Sequence, residues 1–405
     1  MEPHVGVDVD GTFTDVTLIS DSETLVIVKV PSTADQSEGV ITGIKKACVK
    51  ADIDPADLEE FSYAMTVSMN VLLKRAGAKP ALVTTEGFQD VLEIGRQSRL
   101  DLYELHGKKP ASLIPRAYRY ELAERATPSG TQEEIDDEAV YNLIGRLRAG
   151  DIESIAIAFL HAYAILTNKE HVAAIFRSEL DVPIPTPHEV LSEFREFERT
   201  STTVVDAYVT PAIDIYIRRL TERAAADGIP ESRIMQSNGG IADADTVRTH
   251  AVATTLSEPA AGVVGTDRAA RSVRSSPDLP GLVTFDMGGT SSDVSLVRDG
   301  EAERTVDTSI DGIPIRTPMV DINTIGSGGG SITWVDSGGV LRVGPRSAGA
   351  DPGPACYGRG SEKPTVTERM LCSATSVTAL YWAENSHWMS PLLRRHLSRS
   401  RRMLD

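Results

Sequence analysis

The chain has 405 residues, with 41 Lys and Arg against 58 Asp and Glu, a formal net charge of −17, and 41% hydrophobic and 5% aromatic residues. A chain of this length is expected to divide into two domains or lobes, each burying most of its apolar surface. The acid excess argues against nucleic acid or an anionic membrane as partner, because like charges repel. No apolar run approaches the roughly 20 residues that cross a bilayer. Residues 1–4 lack the pattern of a signal peptide, so a cytoplasmic location is expected. Cys48, Cys356 and Cys372 are widely spaced and odd in number, which suits neither a disulfide framework nor a zinc pattern. Reduced, structural thiols are expected.

The first third alternates β-branched runs with amphipathic stretches, predicting a mixed α/β domain. Strands are predicted at 5–9, 16–19 and 25–30, followed by a helix over about 37–51. Buried strands are predicted at 80–84 and 152–159, and helices around 67–76, 136–148 and 168–180. Three prolines within 182–187 keep the backbone extended and mark a linker, giving expected domains 1–181 and 188–368. Beyond it, long helices are predicted over 191–209 and 212–226, interrupted at Pro211. A second strand–turn–strand region begins at 282, and glycine-rich segments fill 326–358, where the Pro- and Gly-bounded loop 352–358 could expose the thiol of Cys356. Residues 369–405 differ in kind, with six Arg, two acids, six Ser, no Gly and no Lys. That tail reads as translation outside the original frame, the alternative being a basic surface tail or terminal helix. The frame hypothesis fails if the other two frames downstream hold no coding continuation.

The informative signal is an internal repeat. Val7-Asp8-Val9-Asp10-Gly11-Thr12-Phe13-Thr14-Asp15-Val16 recurs in pattern as Phe285-Asp286-Met287-Gly288-Gly289-Thr290-Ser291-Ser292-Asp293-Val294, about 278 positions later. In each copy an apolar strand ends at an acid, a turn with Gly and Thr follows, and a second β-rich run begins, which predicts a hairpin. Glycine lets backbone N–H groups converge on phosphate oxygens, Thr and Ser hydroxyls add donors, and a strand-end Asp can hold Mg²⁺ through water. One copy would be no more than a turn; two matched copies point to phosphate binding. Asp8 and Asp286 are the candidates for metal or water positioning. Gly11, Thr12, Thr14, Gly288, Gly289, Thr290 and Ser291 are placed around the phosphates, with Asp10 beside them. Asp15 and Asp293 are read as acids that fix the hairpins. Gly326, Gly328, Gly329 and Gly330 either let backbone approach a nucleotide or partner lobe, or form a flexible turn.

Two such hairpins resemble the phosphate loops of the actin-like ATPase superfamily, in which two ribonuclease H-like lobes clamp a nucleotide. The longer blocks resemble the A subunit of the hydantoinase/oxoprolinase family. They are His188-Glu189-Val190, Arg195-Glu196-Phe197-Glu198-Arg199-Thr200-Ser201-Thr202-Thr203, Gln236-Ser237-Asn238-Gly239-Gly240, Pro259-Ala260-Ala261-Gly262-Val263, Thr324-Ile325-Gly326-Ser327-Gly328-Gly329-Gly330-Ser331, and residues 343–358. The resemblance implies an α/β fold of two ribonuclease H-like lobes, the second incomplete, and ATP- and Mg²⁺-dependent opening of a cyclic amide such as a hydantoin or 5-oxoproline. It also implies a hydantoinase B-type partner subunit; a homo-oligomer stays open. Three blocks depart from the family pattern: Asp10 where a glycine is usual, Tyr63-Ala64-Met65-Thr66 where His-Gly-Thr-Thr is usual, and Glu258 where a second glycine is usual. Two alternatives stay open. One is an inactive, truncated member that binds a partner subunit. The other is a haloacid-dehalogenase-type phosphatase, whose signature fits Asp8-Val9-Asp10-Gly11-Thr12 but leaves the second hairpin unexplained.

Overall fold

The computed structural model describes residues 3–9, 13–20, 23–33, 35–98, 103, 109–185, 191–273, 281–349 and 351–372. The chain forms two compact units, Met1–Ala261 with Arg304–Val320, and Gly262–Glu303 with Asp321–Asp405. No helix among the described residues is long and apolar enough to cross a membrane.

In the first unit, β1 (His4–Val9), β2 (Phe13–Ser20) and β3 (Glu23–Pro31) form an antiparallel meander. Alternation drives it: Val5, Val7 and Val9 of β1 are buried while the residues between them face outward. Helix α1 (Gln36–Ala51) follows, started by Asp35, whose carboxylate accepts from Ser37 N, and ended by Asp52 in the left-handed region. Strand β4 (Glu60–Met65) then pairs with β1 in parallel and leads into α2 (Val67–Leu73).

Strand β5 (Pro80–Thr85), the short α3 (Val91–Ile94), β6 (Arg119–Leu122), the ribbon β7 (Arg125–Thr127) and β8 (Gly130–Glu133), α4 (Asp137–Ala149), β9 (Ser154–Ala158) and α5 (Thr167–Glu179) come next. Strands β6, β5 and β9 form a parallel sheet whose β5 and β9 are buried along their whole length. Both faces are covered, as continuous apolar runs in parallel strands require. Leu82, Ala156 and Ala158 join one hydrophobic cluster, whereas Val83, Ile155 and Ile157 join another with α4 and α5. The proline stretch is docked, not free, as far as it is described: Ile155 N donates to Pro183 O at 3.0 Å and Ile157 N to Pro185 O at 3.5 Å. Prolines lack the N–H but keep the carbonyl, which is all an edge needs to offer here.

Helix α6 (Glu196–Ala226) corrects the expectation of two helices broken at Pro211, since it runs through that proline for 31 residues. The carbonyl of Ala207 would accept from residue 211; Ser154 Oγ donates to it instead, at 2.5 Å, and Ala78 N donates to Tyr208 O at 3.0 Å. Residues 199–210 of α6 are all buried, and Thr202 Oγ1 donates to Glu198 O and Thr203 Oγ1 to Arg199 O. Strands β10 (Ser232–Met235) and β11 (Ile241–Ala242) complete a six-stranded sheet ordered β11-β10-β4-β1-β2-β3. Helix α7 (Ala244–Thr249) follows, and the chain passes to the second unit within α8 (Ser257–Val273).

In the second unit, β12 (Gly281–Met287) and β13 (Ser292–Arg298) form the hairpin predicted from 282 onward, extended by β14 (Glu301–Ala302). The chain returns to the first unit as the ribbon β15 (Arg304–Ile310) and β16 (Ile313–Val320), which packs on α6. Strand β17 (Ile322–Ile325) pairs with β13, β18 (Ser331–Val335) pairs with β19 (Leu341–Ser347), and α9 (Val366–Cys372) ends the described chain. The tail from 373 lies outside the described residues.

Candidate phosphate-binding hairpins

Both copies of the repeat fold into the same antiparallel hairpin with the same register. Asp8 stands directly opposite Asp15, and Asp286 directly opposite Asp293. Like charges across a strand pair are unfavourable unless one is compensated. In each hairpin the second acid is. Asp15 pairs with Lys29 Nζ at 2.5 Å on the adjoining strand, and Asp293 Oδ1 accepts from Thr324 Oγ1 at 2.6 Å on β17. The first acid of each pair, Asp8 and Asp286, is exposed at the strand end. Asp286 lies against α8, where a side chain at Gly262 would come within 3.1 Å of its Oδ2.

The turn residues Asp10, Gly11 and Thr12 of the first hairpin lie outside the described residues, as does the block His188-Glu189-Val190. Thr14 is fully buried, with its hydroxyl 3.4 Å from Ser32 Oγ, so that hydroxyl faces the interior of the unit. In the second hairpin, Gly288, Gly289, Thr290 and Ser291 form the turn, closed by Gly288 N donating to Ser291 O at 3.0 Å. The glycine run packs on that turn. Gly329 N donates to Gly288 O at 2.9 Å and Gly330 N to Gly289 O at 2.6 Å, while a side chain on Gly328 would meet Ser291 N at 2.6 Å. The close backbone approach expected of these glycines is therefore made to their own hairpin, and the amides of Gly329 and Gly330 are committed to it. Gly326 has open space around its Cα.

The block at 63–66 buttresses the first hairpin. Tyr63 is buried, and its hydroxyl lies 2.5 Å from that of Tyr216; burial first of all pushes both phenols above their usual range, so they stay neutral. Thr66 Oγ1 donates to Val9 O at 3.2 Å and accepts from Asn70 Nδ2 at 3.2 Å. Ser257 Oγ donates to Met65 O at 3.0 Å, and Ser68 Oγ lies 2.6 Å from Thr254 Oγ1. Ser237 Oγ donates to Ala253 O at 2.7 Å and accepts from Leu256 N at 3.2 Å. Three sequence blocks thus clamp one another beside the end of β1. Only proximity in space relates them, and spacing along the chain carries no sign of it.

Among the described residues no group of three or more His, Cys, Asp or Glu side chains is arranged to hold a metal. One exposed carboxylate per hairpin still fits Mg²⁺, which takes one or two carboxylates, phosphate oxygens and waters in place of an all-protein cage. Cys356, whose loop could have exposed its thiol, is buried in a short 3₁₀ turn, where its amide donates to Glu368 Oε1 at 2.9 Å. Cys48 is buried as well. His161 follows β9 in the left-handed region, with its Nδ1 buried.

A family model described as the hydantoinase/oxoprolinase N-terminal region matches residues 4–180, and one described as hydantoinase/oxoprolinase matches residues 199–373. Caprolactamase subunit alpha of Pseudomonas jessenii is 34% identical over an alignment of 378 positions, which covers 91% of this chain and 54% of that subunit. The 5-oxoprolinase of Saccharomyces cerevisiae is 31% identical over an alignment of 411 positions, which covers 91% of this chain and 31% of that enzyme. A solved structure of ATP-dependent caprolactamase from Pseudomonas jessenii matches with a TM-score of 0.80 at 31% identity, covering 98% of this chain and 60% of that one. The chain thus spans about half the length of the caprolactamase subunit, and its fold is α/β of the actin-like ATPase type. With both models matching in order and together spanning most of its length, the chain belongs to the hydantoinase/oxoprolinase family.

Proposed function

We propose that this chain handles the nucleotide in an ATP-dependent hydrolase of cyclic amides, of the hydantoin, 5-oxoproline or lactam type, together with a B-type partner subunit. One observation carries the reading: two hairpins share a register in which the second acid is tied to the sheet and the first stands exposed at the strand end. Phosphoryl transfer depends chiefly on positioning and charge stabilisation, and hairpins of this kind would supply both. Gly288 and Gly289 would let the turn of the second hairpin approach phosphate oxygens, which the hydroxyls of Thr290 and Ser291 would orient, and Gly11 and Thr12 would do so in the first unit. Asp8 and Asp286 would hold Mg²⁺ through water; when bound, the ion neutralises phosphate charge.

The γ-phosphoryl would pass to the amide oxygen, forming a P–O bond there as the bond to the β-phosphate breaks and ADP leaves. The ring carbon then becomes electrophilic enough for water to add. Departure of the ring nitrogen, which takes up a proton, leaves an acyl phosphate. A second water hydrolyses it to the ring-opened amino acid and inorganic phosphate. The relatives named as a caprolactamase subunit and a 5-oxoprolinase support this substrate class.

The test is calorimetry of Mg·ATP binding to the purified chain, with Asp286→Ala as control. The expected result is saturable binding that the variant loses. A folded wild-type chain that takes up no Mg·ATP would overturn the reading.

A further inference from the structure

Threonine at the N-terminus of a helix ordinarily turns its hydroxyl back to accept from an amide of the first turn. Thr66 holds that position in α2 but makes no such bond. Its hydroxyl instead donates to Val9 O at 3.2 Å, and is itself set by Asn70, whose Nδ2 donates to it at 3.2 Å from one turn along the helix. Val9 is the last residue of β1, paired with Met65 of β4 and Thr14 of β2, and next in sequence to Asp8. The bond therefore continues the parallel β1–β4 ladder by one side chain at the point where β4 becomes a helix. The block that carries Thr66 is anchored from behind, since Met65 N and O both bond to Ser257 Oγ, at 3.4 and 3.0 Å. A helix cap is forgone so that a fixed block can hold the carbonyl at the exit of the first hairpin strand.

We infer that Thr66, oriented by Asn70, is a positioning residue for the first phosphate hairpin. It holds the Val9 carbonyl so that the end of β1, and Asp8 on it, is kept in a single geometry. The inference rests on the reading that this hairpin cradles phosphate.

Mg·ATP binding is compared by calorimetry for the full chain and the variants Thr66→Val, Thr66→Ser, Asn70→Ala and Thr66→Val/Asn70→Ala, with thermal melting of each measured alongside. Removing one positioned hydrogen bond is expected to weaken binding about tenfold in Thr66→Val. Thr66→Ser, which keeps the hydroxyl, should bind within about twofold of wild type. Because Asn70 acts through Thr66, the double variant should bind no more weakly than Thr66→Val alone. A Thr66→Val chain that melts lower yet binds Mg·ATP as the wild type does would overturn the inference and leave Thr66 a structural residue. Thr66→Ser binding as poorly as Thr66→Val would overturn it as well. Failure of the wild type itself to bind would instead overturn the phosphate reading beneath it, so the two failures are told apart by the wild-type isotherm.

Discussion

Ser154 Oγ donates to the carbonyl of Ala207 across 2.5 Å, and this bond serves the carbonyl that Pro211 leaves without its helical donor within a 31-residue helix. Pro211 removes the amide that would have served that carbonyl, and a buried carbonyl without a donor costs about 1–3 kcal/mol. Ser154→Ala is therefore expected to lower stability by about that amount, read as a shifted urea midpoint with unchanged slope. Pro211→Ala returns an N–H four residues after Ala207, so Ser154→Ala/Pro211→Ala should be more stable than Ser154→Ala alone. A double variant no better than the single one would show that the serine works through packing, not through this carbonyl.

The contrast between these two residues marks what the sequence can and cannot disclose. The hairpins were legible because their determinants are local: alternation over a few residues sets each strand, and the seven-residue spacing of Asp8 and Asp15 is also the spacing that places them opposite each other. Helix α6 was misjudged because its compensating donor sits on β9, remote in sequence. Thr66 was obscured for the same reason, its partner being on β1. Even the repeat conceals a difference. Val5 and Val7 are buried in the first unit, at 1% and 4% exposure, whereas their counterparts Val283 and Phe285 are 64% and 61% exposed in the second. Sequence gives the strand the same apolar face twice; only tertiary context decides whether among the described residues that face is covered.

The glycine run yields a second expectation, at Gly328. A Cβ there would stand 2.6 Å from Ser291 N and 2.7 Å from Thr290 N, and both are backbone atoms that cannot rotate aside. Gly328→Ala should displace the turn of the second hairpin, costing about 1–3 kcal/mol of stability and weakening Mg·ATP binding. Gly326→Ala, with open space around it, serves as the matched control and should be close to neutral in both measurements. Equal melting and equal binding for the two variants would show that the loop moves away from the hairpin at little cost.

The last expectation concerns Glu368, which joins two segments of the second unit. Its carboxylate accepts from Cys356 N at 2.9 Å, Thr365 N at 2.6 Å and Thr365 Oγ1 at 2.5 Å. The bond from Thr365 N is the carboxylate half of a capping box at the start of α9, and the bond from Cys356 N ties in the preceding turn. Burial alone would raise this carboxyl, but the hydrogen bonds from Thr365 and Cys356 outweigh it and hold the group below its usual range. A carboxylate whose pKa is depressed by folding contributes stability above its unfolded value, and that contribution is lost as pH falls through the folded one. Glu368→Gln keeps the shape but removes the charge. At neutral pH the variant should melt below the wild type, and the gap should narrow as pH falls from the ordinary glutamate range through the depressed one. Melting curves across that range decide the matter: a gap that stays constant with pH would mean that the side chain's shape, not its ionised form, holds the turn at Cys356 to the helix.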